Sequence, residues 1–217
     1  MRKVLFMKGS ELRLIEYMEG SKKRFIIPVY QRNYDWKIEN CKQLYDDLIQ
    51  VIKNNSKTHF FGSIVSVYEP SGRNTEFLII DGQQRLTTMS LLFLALYNLL
   101  EEKIIISEDE SLKDQIYEDF LVDKYQPQEK RMKLKPIKND QKAFSKLFNS
   151  KDDYIKDSNL TINYSYFYER IQKQEITIDE LFDAICRLEI INITLNNEDN
   201  PQLIFESLNS TGLDLSE

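Results

Sequence analysis

A fifteen-residue apolar segment, residues 86–100, constrains the fold of this chain more than any other feature. Its polar interruptions are few: Thr87, Thr88, Ser90 and Asn98. Apolar side chains therefore cover most of the circumference of the predicted helix, which places the helix at the centre of a core. Because a membrane span requires ~20 residues, the segment predicts a buried helix rather than a membrane anchor.

Strand-like and helical patterns surround this central helix. Runs of β-branched and aromatic residues predict strands at residues 25–27, 60–68, 76–80 and 188–195, with a turn at 69–74 joining the second and third as a hairpin. A three–four spacing of apolar residues predicts a helix around 41–52, with Asp35 as its N-cap. Further helices are expected at residues 11–18, 142–148, 164–174, 178–185 and 202–208. A helical insertion is expected over about 101–185, and its first part, 101–138, is interpreted as peripheral.

Composition narrows the class of protein. The chain has 217 residues, of which 41% are hydrophobic and 29% charged, as is typical of a folded globular protein. The single histidine, His59, and the distant Cys41 and Cys186 argue against a classical zinc site and against His-based nuclease or protease chemistry. This cysteine usage fits a reducing cytoplasm. The net charge of −6 divides into +4 over residues 1–100 and −10 over 101–217, so strong nonspecific DNA binding is not expected.

The segment 78–88 combines a strand end, a turn and a helix start. Asp81 should end a buried strand, and Gly82 permits a tight turn and close approach of a ligand to the backbone. Gln83, Gln84 and Arg85 then occupy the first helical turn, where unpaired N–H groups and the helix dipole favour an anion. The Arg85 guanidinium suits a phosphate, the Thr87 and Thr88 hydroxyls add donors, and Asp81 can hold a metal ion.

Other interpretations of these residues remain open at this stage. The turn also fits an ordinary capped helix, with Asp81 as N-cap and Arg85 paired to a surface carboxylate. Residues 27–36 place Gln31, Arg32 and three aromatic side chains in one loop, where the aromatics either line a pocket or anchor the loop to the core. Residues 205–216 put polar side chains, Asn209 among them, near a helix C-terminus, where they face a ligand or simply end the helix.

Four segments together resemble a known family: IPVYQRNYDW (27–36), FFGSIV (60–65), IIDGQQRLTT (79–88) and IFESLNSTGLDLS (204–216). In this order they look like the domain of unknown function 262. That domain is the N-terminal part of GmrSD-type modification-dependent restriction proteins and related phage-defence systems. The resemblance runs from about residue 10 to the end of the chain.

The resemblance implies a ParB/sulfiredoxin-like α+β fold, a small mixed sheet with packed helices, in which a Gly-x-x-Arg turn cradles nucleotide phosphates. It implies binding of a nucleoside triphosphate, Mg²⁺-dependent hydrolysis, and coupling to the sensing of modified DNA. Gly82 and Arg85 would contact phosphate, whereas Asp81 and Gln84 would hold the metal ion or position water. The implied pocket is completed by Gln31, Arg32, Gln83, Thr87 and Asn209.

The resemblance also implies a C-terminal HNH-type nuclease domain, whose motif one histidine cannot supply. The chain ends on Ser216-Glu217, which looks like the start of a helix. We therefore expect one nucleotide-binding domain over residues 1–217, truncated from a longer protein, with homodimerisation undecided. The alternatives are a non-hydrolysing ParB-like DNA-binding module, a ParB-like nuclease and a structural scaffold.

Overall fold

A computed structural model describes residues 8–72 and 74–195. Its centre is a six-stranded sheet with strand order β1-β6-β3-β4-β2-β5. The β1–β6 and β3–β4 pairs are antiparallel, and the other neighbours are parallel. The strands are β1 Lys8–Arg13, β2 Lys23–Ile26, β3 His59–Ser71, β4 Asn74–Asp81, β5 Leu134–Lys135 and β6 Leu188–Leu195. A mixed sheet with packed helices confirms the predicted α+β class.

The other helices pack around the third helix, α3 (Gln83–Glu101), which lies in the core. Its residues from Leu91 to Leu96 are completely buried, which confirms the prediction from the apolar segment. The seven α-helices in the described ranges are α1 Leu14–Met18, α2 Ile38–Lys53, α3 Gln83–Glu101, α4 Leu112–Gln115, α5 Lys138–Lys146, α6 Asn159–Ile171 and α7 Ile178–Cys186. A π-helical turn, Ile116–Leu121, continues α4, and 3₁₀ turns occupy Gln128–Lys130 and Lys151–Asp153.

One end of the sheet gathers the segments that the sequence singles out. Strands β2 and β4 run parallel, so the loop after β2 and the turn after β4 leave the sheet at the same end. Strand β3 is antiparallel to β4, and its residue Val65 pairs with Asp81. The beginning of β3 therefore lies beside the turn that joins β4 to α3. Strand β5 is parallel to β2, so the start of α5 follows at this end too.

Several predicted elements are confirmed with small shifts of their bounds. Ser71 pairs with Asn74, so β3 and β4 form the expected hairpin. Strand β6 has the predicted bounds. Helix α7 begins as expected, because the Thr177 hydroxyl accepts a hydrogen bond from the Glu180 amide at 3.1 Å.

Three predictions are wrong. Residues 11–13 belong to β1, so the predicted helix over 11–18 is reduced to α1, because pairing with β6 outweighs a weak local helical pattern. Asp35 does not cap α2, whose N-cap is Lys37. Residues 101–138 are not peripheral: Phe120 stacks on Phe93 of α3 at 4.3 Å between ring centroids, and β5 extends the sheet. The predicted helix over 202–208 lies outside the described residues.

Candidate functional site

The turn between β4 and α3 has the geometry that the sequence predicts. Gly82 has a φ of +90°, in the left-handed region that favours glycine, and α3 begins at Gln83. A Cβ atom at Gly82 would lie 3.0 Å from the carbonyl oxygen of Ser63 and from Cγ1 of Ile64. Both the φ angle and the close approach of β3 therefore require glycine at this position.

Among the described residues no side chain caps the first turn of α3, and the N-cap residue is Gly82 rather than Asp81. The backbone N–H groups at the start of this helix are therefore not engaged by a capping side chain, and the helix dipole directs its positive end here. Gly82, Gln83 and Gln84 are buried, whereas Asp81 and Arg85 are half-buried. The two charged side chains that flank Gly82 to Gln84 in the sequence thus remain partly accessible.

Arg85 lies across the beginning of β3. Its Nη1 donates a hydrogen bond to the Ser63 carbonyl oxygen at 3.1 Å. Over residues 8–72 and 74–195 it forms no ion pair, so no carboxylate in the part of the chain that the structure describes pairs with Arg85 as the capped-helix alternative expects. The guanidinium is positioned by a neutral carbonyl, and no carboxylate among the described residues neutralises its charge.

Gly62 and Ser63 are the site residues that the sequence analysis missed. Gly62 has a φ of +120° at a register shift in the β3–β6 ladder, and a Cβ atom there would lie 2.5 Å from Arg85 Nε. Glycine therefore provides the space in which the guanidinium lies. The signal in the sequence is a glycine inside the otherwise β-prone run FFGSIV, which marks a bulge or a close approach.

Gln31 links the loop after β2 to the same turn. It is only 5% exposed, and its Nε2 donates a hydrogen bond to the Ile80 carbonyl oxygen at 2.7 Å. Its Oε1 and the hydroxyl of the buried Ser63 have no hydrogen-bond partner among the described residues. Two buried polar atoms next to the turn are thus left unsatisfied, which is unusual in a folded protein.

Gln84 holds the loop rather than facing solvent. Its Oε1 accepts hydrogen bonds from the amides of Asp35 at 2.8 Å and Trp36 at 3.2 Å, and its Nε2 donates to the Asn33 carbonyl oxygen at 3.1 Å. The side chain is 6% exposed. These contacts give Gln84 a positioning role for residues 33–36.

Tyr34 anchors this loop to the core. Its hydroxyl hydrogen-bonds with Thr88 at 2.7 Å and accepts from Asn163 Nδ2 at 2.9 Å, and burial raises the pKa of Tyr34 well above its usual value. Its amide donates to the Asp140 carboxylate at 2.6 Å. For Tyr34, the interpretation of the loop aromatics as anchors is confirmed.

The remaining predicted site residues differ in accessibility. The Asp81 carboxylate is half-buried and has no hydrogen-bond or ion-pair partner within the described ranges, and Arg32 is exposed and equally unpaired there. Thr87 is 1% exposed and so faces the core. Asn209 lies outside the described residues. The structure thus gathers Asp81, Gly82, Arg85 and Gln31 around one turn and adds Gly62 and Ser63.

The fold and this turn define an α+β domain with a strand-to-helix junction suited to an anion. A model of the family described as GmrSD restriction endonuclease, N-terminal domain, matches residues 14–217. The chain therefore belongs to this family of restriction-system domains. No curated protein matches the chain. In the part of the chain that the structure describes, no helix is long and apolar enough to cross a membrane.

Proposed function

We propose that this domain binds a nucleoside triphosphate at the Gly82–Arg85 turn and acts as the regulatory, modification-sensing part of a cytoplasmic restriction or phage-defence protein. The observation that carries the proposal is the Arg85 guanidinium in the first turn of a 19-residue helix, because no described residue forms an ion pair with that guanidinium or caps that turn with its side chain. A ParB/sulfiredoxin-like ancestry and a separate HNH-type nuclease domain, both implied by the sequence resemblance, are part of this proposal.

An arginine at this position suits a phosphate ligand better than a lysine would, because a lysine ammonium is only a point charge. Its guanidinium offers a planar set of N–H donors that matches two phosphate oxygens. One of these donors, Nη1, already bonds to the Ser63 carbonyl oxygen and so fixes the orientation of the group. A guanidinium held in one orientation loses less conformational entropy on binding than a free one. The helix N-terminus adds backbone donors and a favourable dipole, as in other phosphate sites.

The two unsatisfied polar atoms support a nucleotide rather than a bare phosphate. Gln31 Oε1 is an acceptor and needs a donor, which a fully ionised phosphate does not have. A sugar hydroxyl or a base amino group supplies one, and the Ser63 hydroxyl can donate to the same ligand. Arg32 and residues beyond the described range, Asn209 among them, would complete the pocket.

Asp81 would hold Mg²⁺ together with the bound phosphates. Mg²⁺ is usually held in proteins by one or two carboxylates plus substrate phosphates, while it keeps several waters, and a single unpaired carboxylate fits that pattern. The described residues contain no group of three or more His, Cys, Asp or Glu that could hold a metal ion without the nucleotide. When bound, the ion would neutralise developing charge on the phosphates and polarise them toward attack by water.

Arg85→Ala is expected to weaken nucleoside triphosphate binding about 10- to 100-fold, because it removes a charge-assisted contact worth about 1.5–3 kcal/mol. Calorimetric titration with each of the four triphosphates and Mg²⁺ measures this. The affinity of Arg85→Lys should fall between those of the unmodified protein and Arg85→Ala, since lysine keeps the charge and loses the planar set of donors. Arg13→Ala, at an exposed arginine outside the site, is the matched control. Unchanged affinity in a folded Arg85→Ala variant would disprove the phosphate assignment.

A second candidate function is binding without hydrolysis, as in a DNA-binding module of the ParB type. A ParB-like nuclease is a further alternative, which no specific observation favours. The observation that favours non-hydrolysing binding is that Gln84 is fully occupied with the loop, so it does not present its amide to an attacking water. If the domain hydrolyses nucleotide, phosphate release should require Mg²⁺, fall with Arg85→Ala and fall with Asp81→Asn. If phosphate release, with and without DNA, is no faster than in buffer without protein, then binding without hydrolysis is the function.

A further inference from the structure

A strongly basic segment lies inside the otherwise acidic second half of the chain. Residues 124–146 contain eight Lys or Arg and two Asp or Glu, in a chain whose net charge is −6. The average over residues 101–217 concealed this segment. In the structure it comprises the 3₁₀ turn Gln128–Lys130, β5 and α5.

Half of the cations of this segment are exposed and form no ion pair among the described residues, whereas Lys124 pairs with Glu118. Lys130, Arg131, Lys138 and Lys142 are exposed, and Lys146 is half-buried. Within residues 8–72 and 74–195, none of these five forms an ion pair. Asp140 forms no ion pair with them among the described residues, because its carboxylate faces the Tyr34 amide and accepts a hydrogen bond from it at 2.6 Å. Lys133 is buried and takes no part in the surface.

Three of the lysines form a line on α5. Lys138, Lys142 and Lys146 recur every fourth residue, so they share one side of the helix at a spacing of ~6 Å. Lys138 and Lys142 border a shallow groove of about 430 Å³ together with Gln128, Gln141, Ser145, Met132 and the carboxylate-bearing Glu129. The 3₁₀ turn and α5 therefore present one continuous surface.

This arrangement does not help the helix that carries it. A cation in the first turn of a helix opposes the dipole, and like charges four residues apart repel each other. Lys138 occupies the first position of α5, and the line contains two such like-charge pairs. The helix dipole favours Lys146, which lies in the last turn of α5, but helix stability gives no reason for Lys138 and Lys142, whereas a polyanionic partner does.

We propose that Lys138, Lys142 and Lys146, with Lys130 and Arg131 beside them, form a surface that binds the sugar-phosphate backbone of duplex DNA. The line spans ~12 Å, which corresponds to roughly three to four nucleotides of one strand at 3.4 Å each. Single-stranded nucleic acid is bound on aromatic side chains that stack with bases. The exposed residues of α5 include no aromatic side chain. The one exposed aromatic side chain of segment 124–146 is Tyr125, which lies against Lys124 and outside the line of lysines, so a regular duplex backbone fits that line better.

This inference does not depend on the proposed nucleotide site. The two surfaces lie at the same end of the sheet, since α5 follows β5 and contacts the loop after β2 through Asp140 and Tyr34. They share no residue. Loss of one should therefore leave the other, which makes the two proposals separately testable.

The test is fluorescence anisotropy of the full chain with a labelled, unmodified 20-base-pair DNA duplex across a range of salt concentrations. The triple variant K138Q/K142Q/K146Q should weaken binding at least tenfold at low salt. The slope of log affinity against log salt should become shallower by about 2.7, because three phosphate contacts are lost. The matched control is K42Q/K53Q/K57Q, three exposed lysines elsewhere that change the net charge equally; it should change binding less than twofold.

Nucleotide affinity and circular dichroism of the triple variant show whether it is folded. The single variant K142Q is a milder test, for which the slope of log affinity against log salt should become shallower by about 0.9. Equal effects of the two triple variants would overturn the proposal, because only net charge would then matter. Loss of DNA binding in Arg85→Ala with none in K138Q/K142Q/K146Q would also overturn it. Tighter binding to duplex RNA than to duplex DNA would overturn the assignment to DNA.

Discussion

Gly62→Ala is expected to abolish tight nucleotide binding as effectively as removing Arg85 itself. The added methyl group would lie 2.5 Å from Arg85 Nε and 2.7 Å from Cζ, so the guanidinium has to leave its position over β3. It then loses its hydrogen bond to the Ser63 carbonyl and is no longer held beside the turn. We expect affinity to fall about 10- to 100-fold, as for loss of the charged contact, by calorimetric titration.

Gly20→Ala is the matched control for Gly62→Ala. Gly20 also has a positive φ, +99°, but a Cβ atom there would meet nothing within 4 Å. This variant should therefore lose about 1–2 kcal/mol of unfolding free energy, which is the cost of a left-handed backbone for a residue other than glycine, and it should bind nucleotide normally. Gly62→Ala should lose more stability than that, measured by urea unfolding.

A double-mutant cycle isolates the reason for the effect. If Gly62 is required because of Arg85, then in an Arg85→Ala background Gly62→Ala should cost no more stability than Gly20→Ala does. Strictly additive effects of the two changes would show that Gly62 serves the bulge in β3 alone. Normal nucleotide binding by Gly62→Ala would contradict the proposed position of the phosphate.

The site shows why sequence reasoning succeeded locally and failed at a distance. The strand end, Gly82 and the first turn of α3 are adjacent in the chain, so their patterns predict one another. Gly62 meets Arg85 across 23 residues, and only the antiparallel pairing of β3 with β4 brings them together. The contacts of Gln84 with residues 33–36 were not predicted for the same reason, because these partners lie about fifty residues earlier.

The same contrast holds for the fold. The apolar helix α3 and the capped helix α7 were predicted from patterns within each element, and both are confirmed. Residues 8–13 form a strand because β6 offers an edge, which their own sequence does not show. The charge average over residues 101–217 hid the basic segment 124–146 for a related reason: electrostatics acts over a Debye length, not over half a chain.

The largest expected effect on stability comes from Gln84→Ala. The change leaves two backbone amides and one carbonyl, those of Asp35, Trp36 and Asn33, without their side-chain partner. At the usual value of about 0.5–1.5 kcal/mol per hydrogen bond, unfolding free energy should fall by about 2–4 kcal/mol. Gln43→Ala is the matched control, because Gln43 is exposed on α2 and bonds only to a surface carboxylate; it should cost less than about 0.5 kcal/mol.

Amide hydrogen exchange distinguishes positioning by Gln84 from a direct role with water. If Gln84 acts by holding the loop, Gln84→Ala should speed exchange at the amides of Asp35 and Trp36 and weaken nucleotide binding through the displaced Gln31. A Gln84 that positions the attacking water would instead lower the rate of phosphate release and leave both exchange and affinity unchanged. Gln84→Glu sharpens the distinction, since it keeps the acceptor for the two amides and loses the donor to Asn33. Protection of the amides in that variant, with loss in Gln84→Ala, is the result that the geometry requires.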